Sequence, residues 1–252
     1  MHVSVSDLIS WWECPRRWRL AEDYPTPQTE AQQKGDWVHG VFQALFEGGA
    51  QRGCEGLEET WCQRVGTSIL TSRPEWWVDE VQSEASIRLP LLGEVELRGR
   101  LDGLAQVDGR ATILEIKYSE RPPEPLAKPW QSPQTLLYGA MVLRAFPQVK
   151  DVTARYILVG PQKADGPGKR RTGEYAVEVV ERPLHNTDRW WAWARMAAEE
   201  MQAASILPYQ VVRPTFALHC NWCAGGEYFR TFCQPLEAWG SAPVQFRHAV
   251  GE

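Results

Sequence analysis

The sequence predicts a mixed α/β fold in one domain, with a strand meander at its centre. Three observations carry this. The middle of the chain holds three Val-, Ile- and Leu-rich runs, at residues 80–91, 94–107 and 110–118, with turn signals between them, which is strand patterning. Helical periodicity precedes and follows this meander. The length of 252 residues, with 43% hydrophobic and 23% charged side chains, suits a folded globular unit and not a disordered chain.

The elements follow in order. Residues 4–20, SVSDLISWWECPRRWRL, read as two short helices broken at Cys14-Pro15, with Ser6 as N-cap. Residues 21–34 are polar and contain Pro25 and Pro27, so they read as a loop. A helix over about 36–46 carries His39 and ends at Gly48-Gly49, and another covers 57–70. After the three strands comes a proline-rich connection, 119–129. Ser132-Pro133 then opens a helix, with Ser as N-cap and Pro at the first helical position, running to Phe146. Two strands, 152–160 and 174–181, flank a basic glycine-rich loop, and a long amphipathic helix covers 188–205 before a cysteine-rich tail.

Composition excludes several classes. No apolar run approaches the roughly 18 residues of a membrane helix, and the first basic side chain after His2 is Arg16, so neither a membrane span nor a secretory signal is expected. The expected compartment is cytoplasmic, with no membrane partner. The net charge of −5, from 27 basic and 32 acidic residues, excludes a uniformly basic nucleic-acid binder and leaves room for a local basic patch. Six cysteines without an export signal argue against a disulfide framework, and Cys54 and Cys62 read as buried thiols. No G-x-x-x-x-G-K-[ST] motif occurs, so the chain has no P-loop ATPase site of its own.

The most informative segment is LRGRLDGLAQVDGRATILEIKYS, residues 97–119. Asp108-Gly109 is a two-residue hairpin signal. With those residues as the loop, Val107 faces Arg110, Asp102 faces Glu115 and Arg100 faces Lys117. Lys117 shares a face with Glu115 through the period-two alternation. Asp102 and Glu115 would fall in a close, non-hydrogen-bonded pair, with Cβ atoms about 4.5–5.5 Å apart. Two such carboxylates need a proton, a cation or an ion pair between them. One reading is a solvated face with Lys117 or Arg100 paired to Glu115. The other is a site for Mg²⁺ or Mn²⁺, with Lys117 beside it. Gln134 and Tyr138 share one face of the next helix, and Gln134 lies in its first turn, where free N–H groups favour a phosphate. Surface and core roles would account for that pair as well, and a structural role would account for His39.

Together these residues resemble the PD-(D/E)XK nuclease superfamily, and within it the RecB and AddB nuclease domains and the RecB-like exonucleases associated with CRISPR systems. The opening serine-led helix into Cys14-Pro15-Arg16, then Gly35-Asp36-Trp37-Val38-His39, Gly99-Arg100-Leu101-Asp102, Glu115-Ile116-Lys117 and Gln134-Thr135-Leu136-Leu137-Tyr138 match that group's motifs in order, over nearly the whole chain. The resemblance implies a restriction-endonuclease-like core, a mixed central sheet flanked by helices. It implies that His39, Asp102, Glu115 and the Ile116 carbonyl bind the metal, and that Lys117 orients the water and stabilises charge. Gln134 and Tyr138 would support the site or contact DNA. Catalysis would rest on Asp102, Glu115 and Lys117, hydrolysing a phosphodiester with metal-activated water.

The resemblance also implies a four-iron, four-sulfur cluster on Cys14, Cys220, Cys223 and Cys233, stapling the N- and C-terminal segments together. Here the last spacing, nine residues between Cys223 and Cys233, is longer than the family's usual one. A zinc site is the alternative. The organisation is then one nuclease domain over 1–252, with 1–20 and 206–235 forming the cysteine subdomain and 236–252 a tail. DNA contacts are expected from the loop 160–173, where Lys163, Lys169, Arg170 and Arg171 outweigh Asp165, although a solvated hairpin tip reads the same way. Arg16, Arg17 and Arg19 form a second basic cluster, interleaved with Trp11, Trp12 and Trp18, which would stack on bases or pack in the core. The expected function is a metal-dependent DNA nuclease, exonucleolytic on single-stranded ends or overhangs. It would serve DNA repair and recombination or CRISPR spacer processing in antiviral defence, with any helicase or integrase on a separate chain. The alternative is a non-catalytic DNA-binding or scaffold subunit.

Overall fold

The computed structural model describes residues 1–23, 28–49, 53–120, 132–162, 174–207 and 212. Strand β1 (His2–Ser4) runs directly into helix α1 (Val5–Glu13), and α2 (Pro15–Asp23) follows after Cys14. Ser4, not Ser6, caps α1: its hydroxyl accepts from the Asp7 N–H while Asp7 accepts from the Ser4 N–H. This reciprocal box satisfies two donors that a Ser6 cap would leave open. Helix α3 (Glu30–Phe46) begins within the stretch read as a loop, because Thr29 and Gln32 form a second capping box. Then come α4 (Glu59–Thr71), the short α5 (Arg73–Trp76), strands β2 (Gln82–Leu92), β3 (Val95–Val107) and β4 (Arg110–Tyr118), helix α6 (Pro133–Ala145), strands β5 (Asp151–Pro161) and β6 (Tyr175–Pro183), and helix α7 (Thr187–Ser205).

The six strands form one mixed sheet in the order β1-β3-β4-β5-β6, with β2 on the other edge of β3. The β3–β4 hairpin has the expected register, from Val107↔Arg110 to Gly103↔Leu114. Asp108 and Gly109 at its tip both take positive φ, 49° and 75°, as a type I′ turn requires. β5 runs parallel to β4, and α6 supplies the crossover.

One edge of β3 is shared end to end by two strands. Parallel β1 covers Glu96–Arg98 and antiparallel β4 covers Gly103–Val107, while β2 runs along the opposite edge. Residues 99–102 of β3 therefore have no strand partner on the β1/β4 edge. β1 was absent from the sequence reading. It is three residues long and its partner is more than ninety positions away.

Two apolar layers cover the sheet. One gathers Leu8 and Trp11 of α1, Leu97 and Leu101 of β3, Leu137 and Met141 of α6, and Ala198 and Met201 of α7. The other gathers Trp37, Val41 and Phe42 of α3, Val65 and Ile69 of α4, Trp76, and Ile116 and Ile157 from the sheet. Full burial of each large side chain contributes about 1.5–3 kcal/mol. α6 is buried over the whole run Thr135–Val142, so it is a core helix and not a one-sided surface one. It lies so close to β3 that a Cβ on Gly99 would stand 2.9 Å from Met141 Sδ and 3.2 Å from Tyr138 Cε1.

Two sequence expectations need correction here. Cys54 and Cys62 are a disulfide, not buried free thiols, because the turn before α4 brings the two side chains together. Trp37 Nε1 donates to the neighbouring Gly53 carbonyl at 3.0 Å and ties α3 to that turn. The second basic cluster is not an open strip. Arg16 is buried and its Nε donates to the Val212 carbonyl at 2.9 Å, while Arg17 pairs with Glu13 at 2.9 Å. Trp11 and Trp18 are core residues in edge-to-face contact. Trp12 is 47% exposed and packs against Trp190 and Trp193.

Candidate active site

The sequence-nominated residues come from three directions. α3 brings His39, the C-terminal half of β3 brings Asp102, β4 brings Glu115 and Lys117, and the first turns of α6 bring Gln134 and Tyr138. α3 is fixed over β4 by apolar packing of Trp37, Val38 and Val41 with Ile116. Lys34 of α3 adds an ion pair of 3.0 Å to Glu120, just past β4. His39 thus faces the sheet, one turn beyond Asp36.

Asp102 does not continue the ladder opposite Glu115. The last regular pair is Gly103↔Leu114, and Asp102 Oδ2 then accepts a 2.7 Å hydrogen bond from the Ile116 amide. A side chain replaces the backbone rung at the gap between β1 and β4. The N–H and C=O of one extended residue point to the same edge, so the Ile116 carbonyl is directed to the site side as well. The other Asp102 oxygen, Oδ1, lies 3.2 Å from His39 Nδ1. The strand alternation also slips here. Leu97 and Leu101 face the α6 layer, yet so does Leu104. Across from Asp102, the β2 ladder skips Glu84, which adopts φ 50°. A left-handed φ in a non-glycine strand residue costs on the order of 1–3 kcal/mol and tends to occur at functional sites.

Glu115 is housed differently. Its side chain is 2% exposed, and Oε2 stands 2.9 Å from Lys117 Nζ. The Lys117 ammonium is the one close partner of this buried oxygen among the described residues, and no further hydrogen bond satisfies it. Burial pushes the Glu115 carboxyl up; Lys117 pulls it back and the Asp102 charge adds to the rise. Burial opposes the charge on Lys117, but Glu115 outweighs it and the ammonium is held above its ordinary range. Burial likewise opposes a charged His39, and the hydrogen bond and charge of Asp102 outweigh it, so His39 is raised. The expected partner of Arg100 is corrected: Arg100 pairs with Glu84 on β2, not with Glu115 or Lys117, because β4 has left β3 at that level.

On the α6 side, Gln134 Nε2 donates to Tyr138 Oη at 3.2 Å. Tyr138 is buried, and burial pushes its phenol up to about 12. Sequence reasoning missed Tyr156. It lies next to Glu115 in the parallel β4–β5 register, is 3% exposed, and stands close to Thr135 of α6. Neither Tyr156 Oη nor Thr135 Oγ1 makes a well-formed hydrogen bond among the described residues. The parallel pairing of β4 with β5 could not be read from local spacing.

His39, Asp102, Gln134 and Tyr138 line one cleft of about 630 Å³. The Asp102 oxygens and the His39 nitrogen in this cleft, with the Ile116 carbonyl on the neighbouring strand, form a donor set that suits a hard divalent ion. The buried Glu115 carboxylate, with Lys117 as its one close partner among the described residues, fits that chemistry too. In the present side-chain arrangement no three His, Cys, Asp or Glu groups close on one point among the described residues. Lys163, Lys169, Arg170, Arg171, Cys220, Cys223 and Cys233 lie outside the described residues. Cys14 is buried and forms no disulfide among the described residues.

No curated protein sequence matches the chain. Among solved structures, a candidate exonuclease from Eubacterium rectale superposes with a TM-score of 0.53 at 12% identity, covering 89% of this chain and 88% of the other. The protein SSO0001 gives a TM-score of 0.45 at 15% identity, covering 88% and 82%. LHK-Exo of Laribacter hongkongensis, solved with dAMP, gives 0.35 at 11%, covering 81% and 89%. At such identity the first of these speaks for the fold alone. A sequence model of the PD-(D/E)XK nuclease superfamily matches residues 2–234. With that span added to a mixed sheet that carries Asp102 and Glu115-Ile116-Lys117 on neighbouring strands joined by the Asp102–Ile116 hydrogen bond, the chain belongs to the PD-(D/E)XK nuclease superfamily.

Proposed function

We propose that this chain is a metal-dependent deoxyribonuclease that hydrolyses phosphodiester bonds at single-stranded ends or overhangs. The observation that carries the reading is Glu115, a buried carboxylate whose Oε2 has only the Lys117 ammonium, 2.9 Å away, as a partner among the described residues, on the strand that Asp102 clamps. His39, Asp102, Glu115 and the Ile116 carbonyl would hold Mg²⁺ or Mn²⁺. The ion, when bound, supplies a Lewis acid and a water of lowered pKa.

The protein groups have distinct tasks. Asp102 fixes β4 through the Ile116 amide and so keeps the Ile116 carbonyl directed at the site. Lys117 keeps a positive charge where a phosphoryl oxygen gathers negative charge, and its partial exposure lets it reach an attacking water. Tyr138 anchors the Gln134 amide at the start of α6, beside the strand's path. Lys163, Lys169, Arg170 and Arg171 would add phosphate contacts. Cys14, Cys220, Cys223 and Cys233 would hold a four-iron, four-sulfur cluster. Burial of the Cys14 thiol supports this, as does the bond from Arg16 to Val212, which draws the chain after α7 back to the Cys14 turn. The biological use is DNA end processing or trimming of new spacers in CRISPR adaptation.

The test is a Mn²⁺-dependent assay of wild type and Lys117→Ala on single- and double-stranded oligonucleotides. The expected outcome is cleavage of single strands by wild type and loss of about 10²–10³-fold in the variant. Unchanged cleavage by Lys117→Ala overturns the assigned chemistry. Anaerobic purification with metal analysis tests the cluster; zinc without iron overturns it.

A further inference from the structure

The cleft does not end at Asp102. It continues along the floor formed by β2 and β3, where Arg98 and Arg100 precede Asp102 at two-residue steps and Arg88 rises from β2. Arg98, Arg100 and Asp102 therefore share one face of β3. Arg88 and Arg98 are direct partners in the antiparallel ladder. Like charges placed directly opposite are destabilising, and a chain of net charge −5 has no surplus of cations to spread there by default. Acids answer two of the three: Glu84 pairs with Arg100 and Glu96 with Arg98. Arg88 makes no ion pair or side-chain hydrogen bond of its own among the described residues and shares only the more distant charge of Glu96, which is already bound to Arg98.

We propose that Arg88 and Arg98 form a clamp for a backbone phosphate of the bound strand, about two linkages from the phosphodiester being cut. This rests on the nuclease reading above. Arg98 lies four residues from Asp102 along β3, about 13 Å at strand rise, with Arg100 midway. Steps of two residues along an extended β-strand are comparable to the spacing of successive phosphates in an extended nucleic-acid strand. Two guanidiniums facing one another across a ladder give a forked set of donors for one tetrahedral anion, and that anion relieves their repulsion. Phosphate contacts of this kind set position without reading sequence. The clamp thus fixes which linkage reaches Glu115 and Lys117, and the strand's backbone lies along β3.

The experiment uses the full chain with Mn²⁺ and single-stranded oligonucleotides at several salt concentrations. Arg88→Ala raises KM about tenfold, keeps kcat within about twofold, and lowers the salt slope of binding by about one. Arg98→Lys keeps the charge but loses the fork and falls between wild type and Arg88→Ala. Arg110→Ala, at the distant hairpin tip, changes neither KM nor the salt slope. A neutral methylphosphonate walked along the strand raises the wild-type KM at one position near the second linkage, and has no further effect there in Arg88→Ala. An unchanged KM and salt slope in Arg88→Ala overturns the clamp. So does a loss confined to kcat, or a methylphosphonate effect that persists in the variant. If wild type cleaves nothing, the nuclease reading fails by itself. Fluorescence anisotropy with a labelled single strand in chelator then decides the clamp: weaker binding by Arg88→Ala sustains it, and equal binding overturns it.

Discussion

The two acids of the site carry the same functional group and live under opposite conditions. Asp102, on β3, is 19% exposed at its side chain and fully engaged, one oxygen on the Ile116 amide and the other facing His39. Glu115, on β4, is 2% exposed, and its Oε2 is met by the Lys117 ammonium alone among the described residues. The β3 carboxylate is part of the sheet's hydrogen bonding. The β4 carboxylate is held in a state that burial disfavours. An acid bound into the sheet contributes to stability and a deeply buried one with a single cationic partner costs stability, so loss of the carboxylate should act in opposite senses at the two positions.

The largest expected effect is on activity, where the two acids should agree. Asp102→Asn and Glu115→Gln each lower Mn²⁺-dependent cleavage by about 10²–10³-fold or more, and the double variant is little worse than either, because the groups act as a unit. Additive losses would separate them. Next comes stability, where they should part. Asp102→Ala orphans a buried amide and destabilises by about 1–3 kcal/mol in urea unfolding. Glu115→Gln removes a buried charge, and its partner Lys117, 45% exposed at the side chain, turns to water, so the midpoint is unchanged or raised. A fall in both midpoints would erase the contrast.

A third effect concerns the support behind β3. Gly99→Ala forces a Cβ to within 2.9 Å of Met141 Sδ. The flexible thioether can yield in part, so a cost of about 1–3 kcal/mol is expected, together with a drop in kcat as Tyr138 and Gln134 are displaced. The smallest effect is at alkaline pH. Burial raises the Tyr138 phenol from 10.0 to about 12. A folded value above the unfolded one means its stabilising contribution is intact below about pH 10 and is lost as the pH climbs toward 12. Tyr138→Phe should therefore flatten the alkaline arm of a stability-versus-pH curve, and an unaltered arm would show that the phenol is not the group responsible.

What could be read in advance follows physical range. The hairpin was legible because Asp108-Gly109 fixes its register from two residues. α6 was legible from Ser132-Pro133, although the Ser132 side chain makes no cap bond. The early start of α3 was hidden because a polar run with Pro25 and Pro27 has loop composition, while the Thr29/Gln32 box that starts the helix lies only two residues past Pro27. Three features depend on partners that local patterning does not encode. β1 pairs with a strand far along the chain, Tyr156 is set by the parallel crossover, and Arg88 meets Arg98 only through a register shift between Pro90 and Leu92. The replacement of a backbone rung by Asp102 was likewise invisible, since regular pairing extrapolates straight past it.

That replacement gives one proton an unusual position. The Ile116 amide hydrogen is shared with a carboxylate and not with a carbonyl, so its shift and exchange rate follow the charge state and placement of Asp102. In a nitrogen-15 spectrum this one signal should move when a cation is added, before any turnover is measured, and should broaden or vanish if β3 and β4 part. A solution experiment could then follow the readiness of the cleft without substrate, dye or mutation.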